Sequence, residues 1–177
     1  MSFLDPIGRL CRALLRLDSP GTPGPPGGLE LQEAHLEQLT VMLQWFDDAE
    51  RCALKGWPDL KADVHRTFEL QRLFARRSIL RLNYLRKCDP ARLGAAKSLS
   101  ELSHLTYDGF TEEDDRAAAR EVVSYGALRT EITRLSTMMP APIDGPLEAL
   151  QSDPEWHRLR DEIWRKLNAI ELRAGQG

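Results

Sequence analysis

Apolar residues recur along most of this chain at steps of three and four, the spacing of an amphipathic helix. The first such stretch is residues 2–17, where Phe3, Leu4, Ile7, Leu10, Cys11, Leu14 and Leu15 fall on one side. Ser2 or Asp5 can cap it, and Pro6 suits a first-turn position. Residues 18–28, DSPGTPGPPGG, hold four prolines and four glycines and read as a linker, part stiff and part flexible. A second helix covers residues 29–55, stepping through Leu36, Leu39, Leu43, Phe46 and Ala53 until Gly56-Trp57-Pro58 ends it. A third covers residues 59–87. It stops ahead of Asp89-Pro90 because proline disfavours helical geometry in the residue before it.

Residues 90–105 carry a weaker pattern. Gly94 loosens it, and Ser98 with Glu101 has the spacing of a capping box. Thr106 to Phe110 reads as a loop. Thr111 then caps a long helix over residues 112–138, with the acids Glu112 to Asp115 at the positive end of its macrodipole. Its inner stripe is Ala118, Val122, Tyr125, Leu128, Ile132 and Leu135. Pro140, Pro142, Gly145 and Pro146 break the chain again, and residues 146–151 read as one helical turn. Ser152 and Glu155 stand at capping-box spacing before the cleanest stripe of all: Trp156, Leu159, Ile163, Leu167 and Ile170.

The pattern predicts an all-α fold with a four-helix-bundle-like core, extra short helices and a linker-tethered N-terminal helix. The organisation is residues 1–17 as the amphipathic helix, 18–28 as the linker and 29–177 as the bundle domain. Composition agrees: 28 leucines and 17 alanines stand against 4 valines and 6 isoleucines, a balance that favours helix over strand. No apolar run is long enough to span a membrane. Cys11, Cys52 and Cys88 are far apart and form no CxxC pair, which argues against a zinc site or a disulfide framework. Arg9, Arg12 and Arg16 interrupt any secretory leader, so a reducing, cytoplasmic setting is expected.

Charge changes the picture by segment. The net charge of −3 gives no global attraction to nucleic acid. Residues 29–55 hold six acids and two bases, whereas residues 59–88 hold eight bases and three acids. Wound at 100° per residue, the third helix has one broad apolar face (Leu60, Val64, Phe68, Phe74, Ala75, Leu82, Leu85). A second apolar stripe, Leu70, Leu73, Leu80 and Tyr84, lies almost opposite. A helix apolar on two sides is either the central rod of its domain or shares one side with a partner or a second copy. Arg72, Arg76 and Lys87 between the two faces, with Arg77 and Arg81 at the edge of the second stripe, offer a third reading, a track for nucleic-acid phosphates.

Catalytic signatures are sparse. There is no phosphate-binding glycine loop, nucleophile elbow or HExxH. Glu101 and His104 form one ExxH, but a helical di-iron site needs two, and His35, His65 and His157 have acids nearby at other spacings (Glu33, Glu69, Glu155). Cys52 shares a helical face with Ala49 and Ala53 and reads as a small hydrophobe. Cys88 ends a basic helix, where the dipole opposes a thiolate. Trp45, Trp57, Trp156 and Trp164 read as core filling at the margin of a bundle, or as binding anchors.

The N-terminal helix has two readings: an extra rod that folds back, or a tethered recognition element whose face includes Leu10 and Leu14. For the second, a partner groove suits it better than a membrane surface, because it has only three arginines and Phe3 as its one aromatic residue. The expected function is a non-catalytic adaptor or accessory subunit that joins a protein partner or forms a homo-oligomer, with no cofactor and no bound metal. Its partner surface would use Leu10, Leu14, Leu70, Leu73, Leu80 and Tyr84. The alternative is a nucleoprotein subunit using the basic helix. A metal-dependent oxidoreductase would need more than one ExxH.

Overall fold

The computed structural model describes residues 28–138 and 152–175. Residues 2–17 with Leu10 and Leu14, the linker up to residue 27 and the turn at 146–151 lie outside the described residues. The described chain is all-α. Its helices are α1 (Leu29–Gly56), α2 (Lys61–Cys88), α3 (Pro90–Gly94), α4 (Leu99–Tyr107), α5 (Glu112–Glu121), α6 (Tyr125–Thr137) and α7 (Pro154–Ala174), with a single 3-10 turn at Pro58–Leu60.

Caps set most of the boundaries. The Asp89 carboxylate accepts the Arg92 N–H at 3.2 Å, and Pro90 opens α3. Ser98 Oγ accepts the Glu101 N–H at 3.1 Å, while the Glu101 carboxylate reaches back to the Lys97 N–H at 2.7 Å, one residue before the cap. Thr111 and Asp114 close a full capping box. At α7 the cap is Asp153, which accepts the Glu155 N–H at 2.8 Å, and not the expected Ser152.

Two expectations need correction. The segment Thr106 to Phe110 is not all loop. Helix α4 runs through Tyr107, because Thr106 and Tyr107 are buried in the core and need helical backbone pairing there. The helix expected over 112–138 is two helices. Val122 is extended and Ser124 is left-handed at φ 75°, so the chain turns between α5 and α6. The hydrogen bond from Tyr125 Oη to the Asp115 carboxylate explains the turn. In a continuous helix those residues would stand ~15 Å apart along the axis. Turning also buries Tyr125 completely, while Val123 is left 90% exposed at the bend.

The long helices pair in a row. Helix α1 packs against α7 on one side and α2 on the other, α2 packs against α6, and α4 lies over both α1 and α2. Among the described residues α6 and α7 share no substantial contact, so the rods form an open layer and not a closed ring. The main core lies between α1, α2, α4 and α7. Phe46 and Phe68 meet edge to face there with ring centres 6.4 Å apart, and Ile163 and Leu167 from α7 are fully buried. The Trp45 Nε1–H donates to the Leu159 carbonyl at 2.9 Å, and its ring lies 5.9 Å from Trp156. Trp45, Trp57 and Trp156 are buried and Trp164 packs half-buried against the same core, the core-filling arrangement.

Candidate functional site: the α2–α6 face

Helix α2 is the central rod. Its broad face carries Val64, Phe68, Ala75, Leu82 and Leu85 into the main core. Its second stripe divides. Leu70 and Leu73 are buried against Ile132 and Leu135 of α6, in a small second core completed by Phe74 and Leu128. These two residues are therefore covered by the chain itself. Leu80 and Tyr84 are half-buried, and Tyr84 sits edge-on to Phe110 at 5.9 Å. Beyond the second core, α2 and α6 part to leave a shallow cleft of about 360 Å³ lined by Arg76, Ile79, Leu80, Ser124, Ala127 and Leu128. Val123, next in the chain to Ser124, is exposed to solvent.

The basic residues of α2 are mostly spent inside the molecule. Arg81 is 3% exposed. Its guanidinium donates to Tyr125 Oη at 2.8 Å, to the Thr106 and Tyr107 carbonyls at 3.1 and 2.6 Å and to Asp115 at 2.9 Å, and it stacks over Phe110. Tyr125 is pushed up to about 12 by its burial and by the Asp115 carboxylate, so its hydroxyl stays protonated and donating. Arg77 lies over the rings of Phe74 and Tyr107 and donates to the Tyr107 carbonyl; burial, then the neighbouring Arg81, pull it below the ordinary guanidinium range. Arg72 is paired with Glu50, Asp47 and Glu69, and Lys87 with Glu121 at 3.2 Å. Arg76 alone among the five is exposed and without an ion pair among the described residues. Among the described residues, four of the five cations proposed for a phosphate track thus have partners within the fold, and Arg76 has no ion pair. Helical winding placed these residues near solvent. It could not show that α1, α4 and α5 would supply their acids and carbonyls.

A second polar group is buried where α1 meets α4. His35 is 1% exposed, and its Nε2 lies 2.8 Å from Thr106 Oγ1. Thr106 Oγ1 also lies 3.2 and 3.3 Å from the Leu102 and Ser103 carbonyls, so its hydroxyl joins the His35 ring to the backbone of α4. Burial, then the Arg86 charge, lower His35 to about 4 and keep it neutral. The polar periodicity of α1 gave no signal of this role, because His35 falls among glutamates in the sequence.

The remaining candidate chemistry is accounted for locally. Glu101 serves the start of α4, and His104 lies 3.7 Å from Asp108 at its end. His65 Nδ1 is 2.7 Å from Glu50, not Glu69. Cys88 is exposed. Cys52 is buried with its Sγ 3.6 Å from Asp153, and burial together with that carboxylate pushes the thiol up to about 12. Cys52, Asp153 and Glu155 bring three donor atoms within 4.8 Å of one another, but Lys55 already neutralises Glu155 at 2.8 Å. Among the described residues, no helix is long and apolar enough to cross a membrane.

No family model, curated protein or solved structure matches this chain.

Proposed function

We propose that the protein is a non-catalytic helical adaptor or accessory subunit that docks an amphipathic helix of a partner protein in the α2–α6 cleft. One observation carries the reading. The cleft is almost wholly apolar and stands open beside Val123, in a chain whose other second-stripe leucines are internally covered. Its apolar lining, Ile79, Leu80, Ala127 and Leu128, offers a concave place in which a partner's apolar side chain can be buried. Two antiparallel rods leave a linear groove between them, the shape that accepts a third helix through apolar anchors spaced three and four apart. Arg76 at the rim supplies one charge, which selects an acidic residue on the partner helix.

Two substitutions test this. Leu80→Asp should leave a folded chain, because the position is half-buried at the cleft, and should abolish recovery of the partner at fixed stoichiometry. Leu73→Glu should instead destabilise the chain by several kcal/mol, since it buries an unpaired charge against Ile132 and Leu135. Circular dichroism and light scattering separate the two. A folded Leu80→Asp chain that keeps its partner contradicts the proposal. A native mass of two copies that Leu80→Asp reduces to one would replace the partner with a second copy.

A further inference from the structure

We propose a second docking site, at the opposite end of the helix row. The groove between the first half of α1 and the last turns of α7 receives this chain's own residues 2–17. The groove holds about 790 Å³. Leu36, Val41, Ile170 and Ala174 are among its apolar lining residues, and Glu30, Glu33 and Glu37 among its polar ones. Leu36, Val41 and Ala174 remain partly exposed there. Leu29, one turn before Glu33 on the same side of α1, is 70% exposed.

Three features select the occupant. The first is length. The lining positions run from Glu30 to Gln44, ~21 Å of helix, and residues 2–17 would form a rod of ~24 Å. The second is the tether. The described chain starts at Gly28, two residues before Glu30, and the linker of residues 18–28 has a coil dimension of about 18 Å, enough to turn the chain back. So short a tether holds the segment at millimolar effective concentration, so weak apolar contacts suffice for occupancy. The third is charge. Residues 1–17 carry three arginines and one aspartate, whereas the groove carries the three glutamates and Arg173. Glu33 and Glu37 already pair with Arg86 and Arg173, and the N-terminal arginines lie opposite the apolar stripe of their helix. The attraction therefore rests on Glu30, which stands outside those two pairs, and the apolar stripe with Leu10 and Leu14 meets the groove's apolar lining. Of the two readings left by the sequence, this groove selects the rod that folds back. The inference does not depend on the α2–α6 cleft.

The test uses the full chain. In a Cys11→Ala, Cys88→Ser, Ala13→Cys background, a nitroxide is attached at position 13, leaving Cys52 buried and unlabelled. The methyl resonances of Leu36, Val41 and Ile170 should lose most of their intensity, while those of Leu80 keep theirs. Adding Leu10→Asp and Leu14→Asp should restore the lost signals. In an equal mixture of nitroxide-bearing chains without isotope label and isotope-labelled chains without nitroxide, no loss should occur. Full intensity at the three groove methyls in the first sample overturns the proposal. Losses that persist in the mixed sample also overturn it, in favour of a second copy.

Discussion

Replacing Arg81 with methionine is expected to destabilise the protein by about 3–5 kcal/mol, the cost of breaking a buried charge network from one side. At ~2–4 °C per kcal/mol for a chain of this size, the melting temperature should fall by roughly 6–20 °C. The reason lies in what Arg81 holds. Its guanidinium ties α2 to the end of α4 through two carbonyls, to α5 through Asp115 and to α6 through Tyr125. Without it, the Thr106 and Tyr107 carbonyls and the Asp115 carboxylate lose their shared donor in a site from which water is largely excluded. Arg76→Met, five residues away on the same helix but exposed, should change stability by no more than ~0.5 kcal/mol. Thermal unfolding of the two variants side by side checks this. Equal melting temperatures would mean that Arg81 does not organise the α4–α5–α6 junction.

The second large effect is in pH. In the unfolded chain His35 takes up a proton near pH 6.5; in the folded chain it does so only near pH 4. Between those values the unfolded state binds more protons, so stability falls as pH falls. The contribution is fully present above pH 6.5, and about 3 kcal/mol of it is lost by pH 4. Carboxylates titrate in the same range, so the informative quantity is the difference between the wild type and His35→Gln. Urea unfolding from pH 7.5 to 4 should show the two stability curves converging as pH falls. Curves that stay parallel would mean that His35 is not held neutral against Thr106.

Much of the fold was legible in the sequence because helices announce themselves through periodicity and punctuation. The stripe from Trp156 to Ile170, the stop at Asp89-Pro90 and the cap at Thr111 all stand where the pattern placed them. The missed turn at Ser124 is different in kind. The apolar spacing from Ala118 to Leu135 runs through it unbroken, and only the three-way contact of Arg81, Asp115 and Tyr125 requires the chain to bend there. That contact joins three helices and has no local signature. The second stripe of α2 behaved in the same way. Periodicity identified Leu70, Leu73 and Leu80 as one apolar series, but which of them α6 would cover depended on where α6 begins, and so on the turn. The chain's own covering of Leu70 and Leu73 is what narrows the open surface to the cleft at Arg76 and Leu80. The basic helix is a related case. Periodicity lines its arginines up on one rod, but the acids and carbonyls that pair with Arg72 and Arg81 come from other helices and have no local signature.

The adaptor reading is tested most directly by a photocrosslinker at the rim of the cleft. Val123 is 90% exposed and Leu172, on α7, is 67% exposed, so either position can carry a benzoylphenylalanine side chain without disturbing a core. The full-length chain bearing the group at position 123 should, on irradiation in its native cells, form a covalent adduct with one partner protein through a helical segment. Leu80→Asp should remove that adduct. The same group at position 172 should give no adduct with that protein. No adduct at 123, or equal yields at 123 and 172, would contradict docking at the α2–α6 cleft.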